Sequence, residues 1–145
     1  MPSYRAPVED TLFLLNDVLG FHHHDNLPGF SDASPDVVEA VLSEGAKLAE
    51  EVLAPLNRVG DQEGCKRHPD GTVTTPKGFK AAYDAYAQGG WMGLSVPEEF
   101  GGQALPHTIN TAIQEFASGA NLALGMYPGL TQGAMAALLV HGSQE

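Results

Sequence analysis

GGWMGLSVPEEFGG, residues 89–102, is the stretch on which the reading of this chain turns. Gly89-Gly90 stops a helical pattern, since only glycine reaches left-handed backbone angles at low cost. Trp91, Met92 and Leu94 then supply an apolar plug large enough to anchor a core. Pro97 fixes φ and withholds a donor, and Gly101-Gly102 permits a tight reversal before the next helix. On physical grounds alone this is a connector buried between two helices.

Beyond the connector, Leu105-Pro106-His107-Thr108 leads into a helix with Ile109, Ala112, Ile113, Phe116, Ala117 and Ala120 inward. Its alanines let neighbouring helices approach closely. NLALGMYPG, residues 121–129, breaks the pattern at Gly125 and Tyr127-Pro128-Gly129. A final helix carries Leu130, Ala134, Ala137, Leu138 and His141, with Gly142 as its cap. Before the connector, Thr75-Pro76 reads as the cap of a helix running to about Gln88, with Phe79, Ala82, Tyr83 and Tyr86 on one face.

Upstream, residues 59–76 (VGDQEGCKRHPDGTVTTP) are turn-rich, with Asp70-Gly71 as a tight turn and Thr72-Val73-Thr74 as a brief extended piece. Asp61 and Glu63 in this loop read as solvated carboxylates rather than acid–base groups. The strongest amphipathic helix begins at Ser34-Pro35-Asp36, a capping hydroxyl followed by proline and an acid. It continues through Val38, Val41, Leu42, Leu48, Val52, Leu53 and Leu56, and Pro55 should kink it or end its regular part near residues 52–54. A short first helix carries Val8, Leu12, Leu15 and Leu19, widened by Phe13 and Val18, and stops at Gly20. It follows an extended arm, residues 1–7. The expected fold class is all-α, a domain of five or six helices with little or no strand.

Composition narrows the function. The 145 residues are enough for one domain with a sizeable core. Hydrophobic content is 43% and charged content 17%, too apolar for disorder. The net charge of −11, from 18 acidic and 7 basic side chains, argues against nucleic acid and against an anionic membrane surface. No continuous apolar run of about 18 residues marks a membrane span, and the amino terminus does not read as a leader. Cytoplasmic residence is the expectation. Cys65, the single cysteine, has no disulfide partner within the chain and, with no partner base evident beside Lys66 and Arg67, reads as a structural or incidental residue. His22, His23 and His24 are consecutive, which does not match the three- or four-residue spacing of helical zinc ligands, so no metal site is expected.

The exact string of the connector says more than its physics. GWMGLSVPEEFGG closely resembles the segment joining two helices in the amino-terminal domain of acyl-CoA dehydrogenases, with the Pro-Glu-Glu-Phe-Gly-Gly core matched without a gap. Residues 51–57 (EVLAPLN) with Asp61-Gln62-Glu63-Gly64 resemble the family's long helix and the D-x-E-G after it, and residues 139–145 (LVHGSQE) resemble a later family segment. Tyr4-Arg5-Ala6-Pro7, Asp10, Phe13 and Leu15 resemble the extra amino-terminal arm and helix of the 3-methylmercaptopropionyl-CoA dehydrogenase-like subgroup. So do Pro28-Gly29-Phe30, residues 56–61 and residues 127–131. On this likeness, residues 1–33 are an amino-terminal arm with a short helix and residues 34–145 are the family's amino-terminal helical domain.

The resemblance implies FAD-dependent α,β-desaturation of an acyl-CoA thioester, with an electron-transfer flavoprotein or similar acceptor and a homo-oligomeric full-length enzyme. It also implies that these helices wall the acyl pocket, with Met126, Tyr127, Gly129, Leu130 and Gly133 as substrate-binding residues. A bland reading of Tyr127 and Leu130 as core residues stands beside this. The family's β-domain and its later helical bundle, which supplies the catalytic glutamate, match no residues here, and no dinucleotide glycine fingerprint is present. The chain alone is expected to be inactive and not to bind FAD tightly. The rival reading is a free-standing helical interaction module without catalysis.

Overall fold

The computed structural model describes residues 3–27 and 29–143. Pro28 of the Pro-Gly-Phe motif and Gln144-Glu145 of the last family-like segment lie outside the described residues. The architecture is helical: α1 (Val8–Phe13), α2 (Pro35–Lys47), α3 (Ala54–Glu63), α4 (Phe79–Gln88) and α5 (His107–His141). A two-stranded antiparallel ribbon, β1 (Lys66–Arg67) and β2 (Val73–Thr74), sets Lys66 opposite Thr74 and Arg67 opposite Val73. The extended piece at Val73 is thus real, but two residues long.

Helix α2 starts as its sequence dictates. Ser34 Oγ accepts from Val37 N–H at 3.4 Å, and Pro35 occupies the first turn. The helix does not end at Pro55. A π-helical stretch, Leu48–Leu53, links α2 to α3 and sets Pro55 in the first turn of α3, where its missing N–H is least costly. The helix therefore runs on to Glu63, and residues 59–63 are helical rather than part of the turn-rich loop. Thr75-Pro76 is not the cap of α4; that helix begins at Phe79 behind Gly78, whose φ of 86° only glycine tolerates well.

The connector emerges as expected, joining α4 to α5. Gln103, Ala104 and Leu105 N–H groups donate to the carbonyls of Gly93, Val96 and Leu94, closing a compact loop between two short 3₁₀ turns. A Cβ at Gly102 would collide with the Val96 carbonyl, so the second glycine of the pair is sterically required. Leu94 is buried, and Trp91 and Met92 pack partly buried against the core.

The core is built from one face of each helix. Leu42, Leu53, Ile109, Ile113, Phe116 and Leu124 are buried together, and the inward positions read for residues 109–120 all hold. The arm joins this core: Val8 and Leu12 pack against it and Leu15 is buried, while Arg5 pairs with Glu50 at 2.7 Å. The rest of the first helix's expected stripe, Phe13, Val18 and Leu19, is exposed.

Helix α5 is continuous through Gly125 and Pro128 but broken at Asn121, whose φ/ψ of −159°/91° is not helical. The break falls before the glycines and proline that the sequence pointed to. Two arms result, residues 107–120 and 122–141, and they fold back on each other: Gln132 of the second hydrogen-bonds Asn110 and Gln114 of the first. Asn121 Oδ1 accepts from Leu124 N–H at 3.1 Å as the cap of the second arm, and its Nδ2–H donates to the Leu53 carbonyl at 3.2 Å. In the second arm Leu124 and Pro128 are the buried residues, while Leu130 and Leu138 are 78% and 69% exposed. By length and composition α5 is apolar enough to cross a bilayer, with a mean hydropathy of 1.2 over 18 residues, although Thr131, Gln132 and the glycines interrupt any continuous apolar run.

Candidate functional site

Folding α5 into two arms creates a groove of about 750 Å³ between the second arm, the start of the first and the connector. One wall is Met92, Val96, Pro97 and Leu105; the other is Gly129, Gly133, Met135 and Leu139. Ser95, His107, Asn110, Gln114 and Gln132 form a polar strip along it. Among the described residues no Lys, Arg, Asp or Glu lines this groove.

The strip is internally bonded. Gln132 Nε2–H donates to Asn110 Oδ1 at 3.2 Å, Gln114 donates to Gln132, and Ser95 Oγ lies 3.5 Å from His107 Nδ1. Asn110 is 2% exposed, whereas Gln114 and Gln132 are half-buried. None of these five residues was singled out from the sequence as a site residue. The available signal was Asn110 and Gln114, one helical turn apart on the rim of an otherwise apolar face.

Of the five residues that the family resemblance pointed to, the structure brings Gly129 and Gly133 into the groove. A Cβ built on either meets nothing within 4 Å, and neither has positive φ. Met126, 62% exposed, lies on the same helical face as Gly133 but two turns before it, outside the groove lining. Leu130 is also outside. Tyr127 sits elsewhere: its ring meets Phe79 edge-on at 6.4 Å, and its hydroxyl is 3.9 Å from Cys65 Sγ. Burial, and then the neighbouring thiol, raise the Tyr127 phenol above its ordinary range.

The other candidate groups have plain surroundings. Glu63 accepts from Lys77 N–H at 2.8 Å and so ties the loop before α4 to the end of α3. His22 and His23 lie with tilted rings, centroids 4.0 Å apart, as exposed side chains of a 3₁₀ turn. Among the described residues no group of three or more His, Cys, Asp or Glu side chains is placed to hold a metal ion.

The comparisons with known proteins bear on this site. Residues 38–145 match the family described as acyl-CoA dehydrogenase, N-terminal domain. The chain is 37% identical over 141 residues to the 3-methylmercaptopropionyl-CoA dehydrogenase of Ruegeria pomeroyi, an overlap of 97% of this chain and 24% of that protein. It is 33% identical over 130 residues to the broad-specificity linear acyl-CoA dehydrogenase FadE5 of Mycobacterium tuberculosis, covering 89% of this chain and 21% of the relative. It is 31% identical over 146 residues to a butyryl-CoA dehydrogenase of Syntrophomonas wolfei, covering 99% and 24%. The chain thus spans about a quarter of the length of these relatives. A helical domain whose connector, long helix and folded final helix carry these matches belongs to the acyl-CoA dehydrogenase family, as its amino-terminal domain.

Proposed function

We propose that this domain forms one wall of the acyl pocket in a FAD-dependent enzyme that desaturates an acyl-CoA thioester between its α and β carbons. The observation that carries this reading is the pair of glycines in the groove. Glycine inside a helix costs about 1 kcal/mol relative to alanine. At Gly129 and Gly133 neither a positive φ nor a crowding neighbour calls for it. Room for an occupant is the remaining physical reason, and the mostly apolar walls suit an alkyl chain.

The absence of cationic side chains from the groove lining fits the acyl part of the substrate and not the diphosphate of coenzyme A. It also means that the groove does not fit FAD, whose diphosphate needs the same neutralisation. No step of the redox chemistry is therefore assigned to these residues; the flavin and the catalytic base are assigned to other segments of the enzyme, and this chain by itself is taken to be inactive. Gly129 and Gly133 are the acyl contacts in this reading, with Met126 and Leu130 extending the wall toward its open side. Tyr127 supports the arm from the opposite side. The dehydrogenase names of the relatives support the reaction class, and the family resemblance supports an electron-transfer flavoprotein as acceptor and a homo-oligomeric enzyme.

The test uses the full-length enzyme with its flavin. Gly133→Phe fills the groove and should weaken binding of long acyl-CoA thioesters at least tenfold while sparing the shortest ones, as read by anaerobic reduction of the flavin. Unchanged long-chain binding would remove the groove from the acyl pocket.

A further inference from the structure

The groove is more polar than a hydrocarbon chain requires. Asn110 is nearly fully buried, and its Oδ1 is taken by Gln132. No acceptor among the described residues takes up its Nδ2–H groups, yet no buried polar side-chain atom among them lacks a partner. Nδ2 is therefore not a sealed atom, and the groove is the open space that Asn110 lines. Gln132, held between Asn110 and Gln114, fixes which way the Asn110 amide faces. Closing an apolar chain over this strip would leave amide donors dry and unpaired, which is unfavourable.

We propose that the acyl group held here carries an uncharged oxygen, as an ether, carbonyl or hydroxyl, that accepts a hydrogen bond from Asn110 Nδ2. Among the described residues the lining holds no Lys or Arg, so this wall offers no counter-charge to an ω-carboxylate and suits an uncharged oxygen better. Gln132 and Gln114 are positioning residues for that amide. The proposal rests on reading the groove as the acyl pocket and deepens it to a substrate class. A purely structural amide clamp between the two arms of α5 predicts something different. Its loss would weaken all ligands alike.

The experiment uses the full-length, flavin-loaded enzyme and titration calorimetry with trans-2-enoyl-CoA thioesters, which are already unsaturated at the reacting bond. Pairs of equal chain length are compared, one all-carbon and one with a single methylene replaced by oxygen, the oxygen being moved along the chain. At one position the ether should bind about five- to tenfold tighter than its hydrocarbon match, the effect of one hydrogen bond. Asn110→Leu should abolish that difference. Gln132→Leu, at a half-buried position, should weaken the ether more than the all-carbon ligand and so reduce the difference, and serves if Asn110→Leu does not fold. Equal affinity of the two ligands at every position overturns the proposal, and so does a preference that survives both substitutions. If Gly133→Phe leaves both ligands bound as tightly as before, the acyl-pocket reading itself fails, an outcome separate from loss of the oxygen preference.

Discussion

Asn121 shows how much one side chain decides. It leaves helical angles, caps the second arm of α5 through Leu124 N–H, and holds that turn to the long helix through the Leu53 carbonyl. It is 1% exposed, so Asn121→Ala removes two buried hydrogen bonds and leaves a carbonyl without its donor. The expected loss is about 2–4 kcal/mol, read as a lower midpoint in urea unfolding. A change below about 0.5 kcal/mol would mean that the arms are held by their other contacts. Tyr86 gives a pH-dependent counterpart. Burial pushes its phenol up to about 12 from 10.0, so the folded state holds its proton more tightly than the unfolded state. Its contribution is complete below the unfolded value and is lost as pH rises through the window between the two values, by at most about 3 kcal/mol. Urea midpoints of the native chain and Tyr86→Phe should diverge across that alkaline window, with the native chain falling faster.

At the scale of elements, capping residues that look alike in sequence separate in the structure. Ser34-Pro35 and Thr75-Pro76 present the same hydroxyl-proline signal, but only Ser34 accepts a bond from its helix. Ser34→Ala should cost about 1 kcal/mol and Thr75→Ala less than about 0.5 kcal/mol, a contrast that paired urea titrations would expose. The regular elements were legible because their cause is local. Ile109, Ala112, Ile113, Phe116, Ala117 and Ala120 repeat at helical spacing and are all buried. The junctions were not, because their cause is tertiary. Pro55 was expected to kink the helix or end its regular part, and the regular α-helix does give way to a π stretch just before it, but the chain stays helical through to Glu63. The turn at Asn121 depends on the Leu53 carbonyl, far away in sequence, while Gly125 and Pro128, stronger local breakers, stay helical. The candidate site follows the same rule. Its glycines were visible through a family resemblance, but the Asn110–Gln132–Gln114 strip exists only once the two arms meet.

Across the whole molecule the charge and the apolar surface are separated. No Asp, Glu, Lys or Arg occurs from Phe116 to Gln144, although the chain carries a net charge of −11. The second arm of α5 lies in this stretch and presents Leu122, Met126, Leu130, Leu138 and Val140 to solvent at 61–78% exposure. An apolar helical face of this kind is normally covered, and in a domain that walls an enzyme's acyl pocket the cover would come from the other segments of the enzyme. The 145-residue polypeptide by itself has only another copy of itself to offer that face. It should therefore associate at micromolar concentration, and added salt should strengthen the association by screening the repulsion between acidic surfaces. Leu130→Glu with Leu138→Glu places charge on the face without touching the core and should return the chain to monomer in sedimentation velocity, with helical content kept. In the full-length enzyme, the same pair should disturb folding or flavin retention, since the face is then internal. A native polypeptide that stays monomeric at those concentrations would show that the arm covers its own apolar side chains in solution, and the case for an enzyme wall would then rest on the groove alone.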